Sequence, residues 1–195
     1  MMTSRSFFCA LALALPVFGY AADWDIDQLM QTLAQTRSGH VSFVEKKSIA
    51  MLEAPVESSG ELFYTAPDRL EKRTLKPKPE TMVLDQGTLL VERGRQKHSL
   101  QLQQYPELAA FIDSIRGTLA GDRPALERNF RLSLEGSRQS WSLRLVPAND
   151  KMLAVVKRID IAGEKELVKR IEISQADGDS SLMRIEPITD GTDSP

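Results

Sequence analysis

Between Val41 and Gln103, apolar and polar residues alternate with a period of two in six short runs: Val41 to Ile49, Val56 to Thr65, Arg69 to Leu75, Glu80 to Leu84, Thr88 to Arg93 and Gln96 to Gln103. Turn residues separate them, among them Pro55, Pro67, Gln86-Gly87 and Arg93-Gly94, and Lys76-Pro77-Lys78-Pro79 is too rich in proline to lie inside a sheet. Parallel neighbours need a crossover of about a dozen residues, usually a helix, and no gap between these runs is that long. The runs therefore predict an antiparallel meander. From Tyr105 to Asp122 the alternation stops: Pro106 suits a helix start, and Leu108, Phe111, Ile112, Ile115 and Leu119 form an apolar stripe ahead of Gly121. A second helix start follows at Asp122, with Pro124 at the first helical position. Alternation resumes at Phe130 to Leu134, Trp141 to Val146, Val155 to Ile161, Leu167 to Ser174 and Leu182 to Ile188. Ahead of all the strands, Asp25 and Gln28 resemble a capping pair, and Ile26, Leu29, Met30 and Leu33 recur at helical spacing until Gly39.

The expectation is a mainly β chain (α+β) of about eleven antiparallel strands with an N-terminal helix and helices interrupting the meander at its middle. Right-handed twist curls a sheet of more than ~10 strands. A curled sheet that does not close has an inner side that helices or a ligand must cover, because large open apolar surface is rare on a soluble monomer. The pattern thus predicts a container. Phe43, Leu62, Tyr64, Leu70, Leu100 and Leu102 on the strands, with Phe111, Ile115 and Leu119 on the mid-chain helix, are the candidate lining. A packed sandwich core would use the same residues, and a one-residue error in register would exchange the two faces.

The first 21 residues have the order of a secretory signal, with Arg5, an apolar stretch from Phe7 to Phe18 and the small-residue site Gly19-Tyr20-Ala21. That stretch is too short for the ~20 apolar residues that span a bilayer. Cleavage is expected after Ala21, leaving one domain over residues 22–188 and a polar tail, 189–195, with nothing to bury. Cys9 is the single cysteine, and it lies inside the apolar stretch. The mature chain would then have no disulfide, thiol nucleophile or cysteine metal site in an oxidising compartment. Its 174 residues (195 less 21) suffice for a core that buries roughly 70% of the unfolded surface. Loss of Arg5 takes the net charge from −2 to −3, and no strongly basic stretch suggests a nucleic-acid partner.

Catalytic kits are missing from the sequence. There is no Gly-x-Ser-x-Gly, no His-Glu-x-x-His and no phosphate or calcium loop, and His40 and His98 are the two histidines. His40 falls at a helix-to-strand junction and His98 alternates with Leu100 and Leu102, so both read as structural. Glu45, Glu57, Glu61 and Glu71 read as the solvated face of strands, and Lys72, Arg73, Lys76 and Lys78 as a solvated basic turn. No metal or cofactor is implied.

Three segments taken together are similar to the LolA family: Val41-Ser-Phe-Val-Glu-Lys-Lys47, Ser59-Gly-Glu-Leu-Phe-Tyr-Thr-Ala-Pro-Asp-Arg-Leu70 and Met82-Val-Leu-Asp-Gln-Gly-Thr-Leu-Leu90. The resemblance implies an unclosed antiparallel barrel with helices as a lid, holding acyl chains of lipoproteins in the periplasm, with no catalysis and no cofactor. It implies a monomeric carrier whose partners are lipid cargo, an inner-membrane donor and an outer-membrane acceptor. The chain departs from the family at Ala66, where an arginine bonds the lid, and at Leu70 and Lys72, where aromatic residues stand. The lid role is not carried over to Arg69. The departures imply a divergent branch whose cargo is a lipoprotein or another envelope lipid. A lipid-sensing or protein-interaction domain on the same scaffold is the alternative, and an envelope hydrolase or acyltransferase a third class without a visible nucleophile.

Overall fold

The computed structural model describes residues 24–188. The signal-like segment and the polar tail lie outside these residues. Asp25 opens α1 (Ile26–Leu33), its carboxylate accepting from the Gln28 amide at 2.8 Å. The helix is shorter than its apolar spacing suggested: it ends at Ala34, and Gly39 already lies in β1 (Ser38–Ser48), opposite Tyr64. Then come β2 (Val56–Thr65), β3 (Arg69–Lys76), β4 (Glu80–Asp85), β5 (Thr88–Arg93) and β6 (Gln96–Gln101). At the β4–β5 turn, Gln86 and Gly87 both take positive φ, 46° and 76°, as a two-residue hairpin of the twist-matched kind requires.

Leu102 belongs to a short 3-10 turn (Leu102–Gln104) and not to β6, which is a correction to the expected strand. Pro106 opens α2 (Pro106–Ala120), and Gly121 ends it at φ 65°. A Cβ at Gly121 would stand 2.1 Å from the Met30 carbonyl oxygen, so a bare backbone is needed where α2 turns against α1. Asp122 then caps α3 (Arg123–Glu127) through the Ala125 amide. The second half holds β7 (Phe130–Ser137), β8 (Ser140–Pro147), the single-turn α4 (Asp150–Leu153), β9 (Val156–Glu164), β10 (Leu167–Gln175) and β11 (Ser180–Pro187). Nothing in the period marked α4, which is too short to show one.

All eleven strands form one antiparallel sheet in the order β6-β5-β4-β3-β2-β1-β11-β10-β9-β8-β7, unclosed between β6 and β7. Two meanders thus meet at a central β1–β11 seam, and the segment holding α2 and α3 links the two free edges. The expected half-open barrel with helices is the fold observed.

The inner face differs between the two halves. Across β8, β9 and β10 run the cross-strand rows Leu143–Ile161–Ile171 and Leu145–Ile159–Ile173. Onto this surface pack Leu29, Met30 and Leu33 of α1, Ala110 of α2 and Leu126 of α3, together with Phe130 and Trp141, to make the hydrophobic core, with Phe111 and Ile115 of α2 packed against it. Each such aliphatic side chain contributes ~1.5–3 kcal/mol on burial. The inner face of β2 to β6 carries a second apolar surface without that cover.

Candidate functional site

Register places the second apolar surface. Tyr64 pairs with Leu70, Leu70 with Leu84, Leu84 with Leu89 and Leu89 with Leu100, a cross-strand row over five strands on one face. Beside it runs Val41–Leu62–Lys72–Met82–Val91. α2 stands opposite and shows two faces. Its buried residues are small: Ala110, Ser114, Gly117 and Thr118. A Cβ at Gly117 would come within 2.9 Å of Leu126, so this face seats α2 on α3. The large side chains Leu108, Phe111, Ile112, Ile115 and Leu119 are left half-buried and line the space between helix and sheet.

That space is a trough of about 1500 Å³, larger than the ~300–1,000 Å³ of ordinary small-molecule sites. Of the nine candidate residues, it brings together Leu62, Tyr64, Leu70, Phe111, Ile115 and Leu119. Phe43, Leu100 and Leu102 are not among the lining residues. Phe43 is buried beneath Lys72, whose ammonium lies 4.8 Å from the ring centroid. Leu100 sits at the free β6 edge and Leu102 is buried in the 3-10 turn. Lining residues that sequence reasoning missed include Met82, Leu84 and Leu89, as well as Ile171, Ile173 and Met183 from the other half. Strand pairing identifies them, and pairing is not written in any one strand.

Within the trough lies a polar cluster that corrects two expectations. Glu45 is not on the solvated face: it is 4% exposed, on the inner face with Phe43. Its carboxylate accepts from Lys72 Nζ at 2.5 Å, Ser181 Oγ at 2.6 Å and Ser58 Oγ at 3.4 Å, and Lys47 Nζ stands 3.7 Å away. Burial alone would raise the Glu45 pKa, but the charge and hydrogen bond of Lys72, with Ser181 and Lys47, outweigh it and hold the carboxyl below its ordinary value. The supposed basic turn is likewise divided. Lys72 points inward, whereas Arg73 lies over Phe63 and bonds Glu71. Glu71 accepts from Arg69 as well and is largely buried, so it too departs from the solvated expectation.

His40 stacks on Phe63 at 4.1 Å and lies 3.3 Å from Glu61, the structural role expected. His98 is exposed near the β6 edge. Arg69 bonds Glu71 and Asp85, and the Ala66 amide donates to the Arg37 carbonyl. The family's arginine position therefore holds no side-chain tie to α2 here. Among the described residues there is no cluster of metal-ligating side chains, and no helix is long and apolar enough to cross a membrane.

A family model described as outer membrane lipoprotein carrier protein LolA-like matches residues 19–185. No curated protein matches the chain. Among solved structures, a LolA superfamily protein from Nitrosomonas europaea is similar at 11% identity over 87% of this chain and 94% of its own, with a TM-score of 0.43. A DUF1329 family protein from Desulfovibrio piger is similar at 9% identity over 86% and 92%, with a TM-score of 0.49. A chain of the Pseudomonas aeruginosa MucA/MucB complex is similar at 13% identity over 87% and 61%, with a TM-score of 0.46.

Proposed function

The chain belongs to the LolA-like family of outer membrane lipoprotein carrier proteins, and from that membership we propose that it is a non-enzymatic periplasmic carrier that shelters the acyl chains of a lipoprotein or another envelope lipid. The observation that carries the reading is the trough of about 1500 Å³ between α2 and the inner face of β1 to β5, β10 and β11. Leu62, Tyr64, Leu70, Phe111, Ile115 and Leu119 are the side chains proposed to touch cargo. Each methylene moved from water into such a space contributes ~0.8 kcal/mol, so a single long chain suffices for binding without any covalent step. Export by the signal-like segment, action as a monomer, receipt from an inner-membrane donor and delivery to an outer-membrane acceptor complete the proposal. No catalytic role is included.

The test is lipid extraction from the protein purified from its native envelope, with mass spectrometry of what co-purifies, alongside Leu70→Arg. Acyl lipid should accompany the parent protein. In the variant a charge enters the apolar row while its head turns toward the open mouth, so displacement of a fluorescent fatty-acid probe should weaken about tenfold or more while cooperative unfolding is retained. A variant that folds and binds the probe as the parent does would overturn the trough assignment. A chain that carries no lipid yet forms a stable complex with an envelope protein would favour the interaction-domain alternative.

A further inference from the structure

Glu45 and Lys72 are hard to reconcile with a container for acyl carbon alone. Replacing a buried ion pair by apolar residues of similar size is often neutral or stabilising. A trough built for methylenes would therefore hold them at least as well with apolar residues at both positions. The cluster also does not balance. One carboxylate, Glu45, is approached by two ammonium groups, Lys72 on one oxygen and Lys47 on the other, and by the hydroxyls of Ser58 and Ser181. One positive charge is left over. Two other carboxylates along the trough have their own partners, Glu71 with Arg69 and Arg73 and Glu80 with Arg93. Glu107 and Glu166 belong to the first turn of α2 and the β9–β10 turn.

The polar groups are also gathered toward one end. Along β2, the inner face reads Tyr64 and Leu62, then Gly60, then Ser58; along β3 it reads Leu70, Lys72 and Thr74. Tyr64 to Ser58 is six residues, ~20 Å of strand. One end of this half of the trough is mainly apolar, though it includes the buried, unpartnered Tyr64 hydroxyl, and the other presents ammonium and hydroxyl donors. That is the profile of an amphiphile, tail at the Tyr64–Leu70–Leu84 row and head at the cluster.

Building on the carrier reading of the same trough, we infer that its cargo carries an oxyanion headgroup, a carboxylate or a phosphate, seated against Lys47 and Lys72. Glu45 is the positioning residue: it holds both ammonium groups at the inner wall and cancels one of their charges. A low-dielectric wall strengthens the remaining attraction.

Displacement of a fluorescent fatty-acid probe from the delipidated full chain tests this with oleate, oleyl phosphate and the uncharged oleyl alcohol. The expected result is that at least one acid binds about tenfold tighter than the alcohol, with the tighter of the two naming the headgroup. The preference should shrink in Lys47→Gln, a half-exposed position whose loss spares the fold, and on raising the salt. In Glu45→Gln, whose amide oxygen can still accept from Lys72, it should instead grow by several-fold, because the cancelling charge is gone; a role confined to stability would not move the acid-to-alcohol ratio. Equal binding of acid and alcohol in the parent protein would overturn the headgroup assignment and leave the trough reading standing. Failure of all three ligands to displace the probe, or of the probe to bind, would overturn both.

Discussion

The Trp141 ring packs beside Gly163 on the neighbouring strand, and its indole N–H donates to the Lys165 carbonyl at 2.9 Å. A Cβ on Gly163 would stand 2.4 Å from the ring and 2.2 Å from the Leu167 carbonyl oxygen, neither of which can yield cheaply. Gly163→Ala should therefore destabilise by about 3 kcal/mol or more in urea unfolding, whereas Gly39→Ala, with nothing within 4 Å, should fall within about 0.5 kcal/mol of the parent. Glu45 adds a pH dependence. Its folded-state pKa lies below the unfolded one, so the stability it contributes is full above the ordinary glutamate value of 4.5 and is lost as pH falls through the lowered value. Glu45→Gln should cost about 1–3 kcal/mol near neutral pH, less than a fully buried pair because Lys72 keeps a path to water, and should flatten the acid limb of a stability-versus-pH series. An acid limb as steep as the parent's would contradict this origin. Glu45 was legible in the sequence: it stands two residues from Phe43, so the period of two puts both on one face. The rule that a strand glutamate faces solvent hid it, and the lysine that satisfies it comes from another strand 27 positions on.

At the scale of elements, the boundaries that sequence marks chemically are the ones that match. Asp25 and Asp122 cap α1 and α3, Pro106 and Gly121 bound α2, and β2 and β5 run over the predicted residues. Boundaries set by tertiary contact were not legible. α1 stops at Leu33 because the chain turns to pair Ser38 with Thr65, and the strand ends at Leu102, whose amide still bonds the Gly87 carbonyl, because its own carbonyl accepts from the Tyr105 amide and closes the 3-10 turn. The two faces of α2 were half visible. Its large apolar stripe stood out, while the small residues that seat it carry no hydrophobic signal. Because α2 seats on other helices through small side chains and leaves its large ones half-buried, it should open more readily than β8 or β9. Amide exchange in α2 should be faster than in those strands and should slow on addition of a long-chain fatty acid. Protection equal to that of β9, with and without the acid, would sink the view of α2 as a lid.

The whole molecule is stabilised on one side and proposed to work on the other. Leu143→Ala removes a fully buried side chain from the hydrophobic core and should cost about 2–5 kcal/mol, while Leu70→Ala, half-buried in the trough, should cost about 1 kcal/mol or less. A bound amphiphile at ~100 times its Kd should restore ~2.7 kcal/mol to the parent, read as a rise in unfolding midpoint. The β1–β11 seam has a further bearing on how the chain is born. Ser181 reaches Glu45 across 136 positions, so the centre of the sheet waits for the last strand to be delivered. Until then β1 offers an open row of amides and carbonyls to any passing strand, and the long loop closure makes the wait slow. A chain stalled before Ser180 loses its middle and not its end: two half-sheets, with Glu45, Lys47 and Lys72 together in the first but without the Ser181 hydroxyl that closes their cluster.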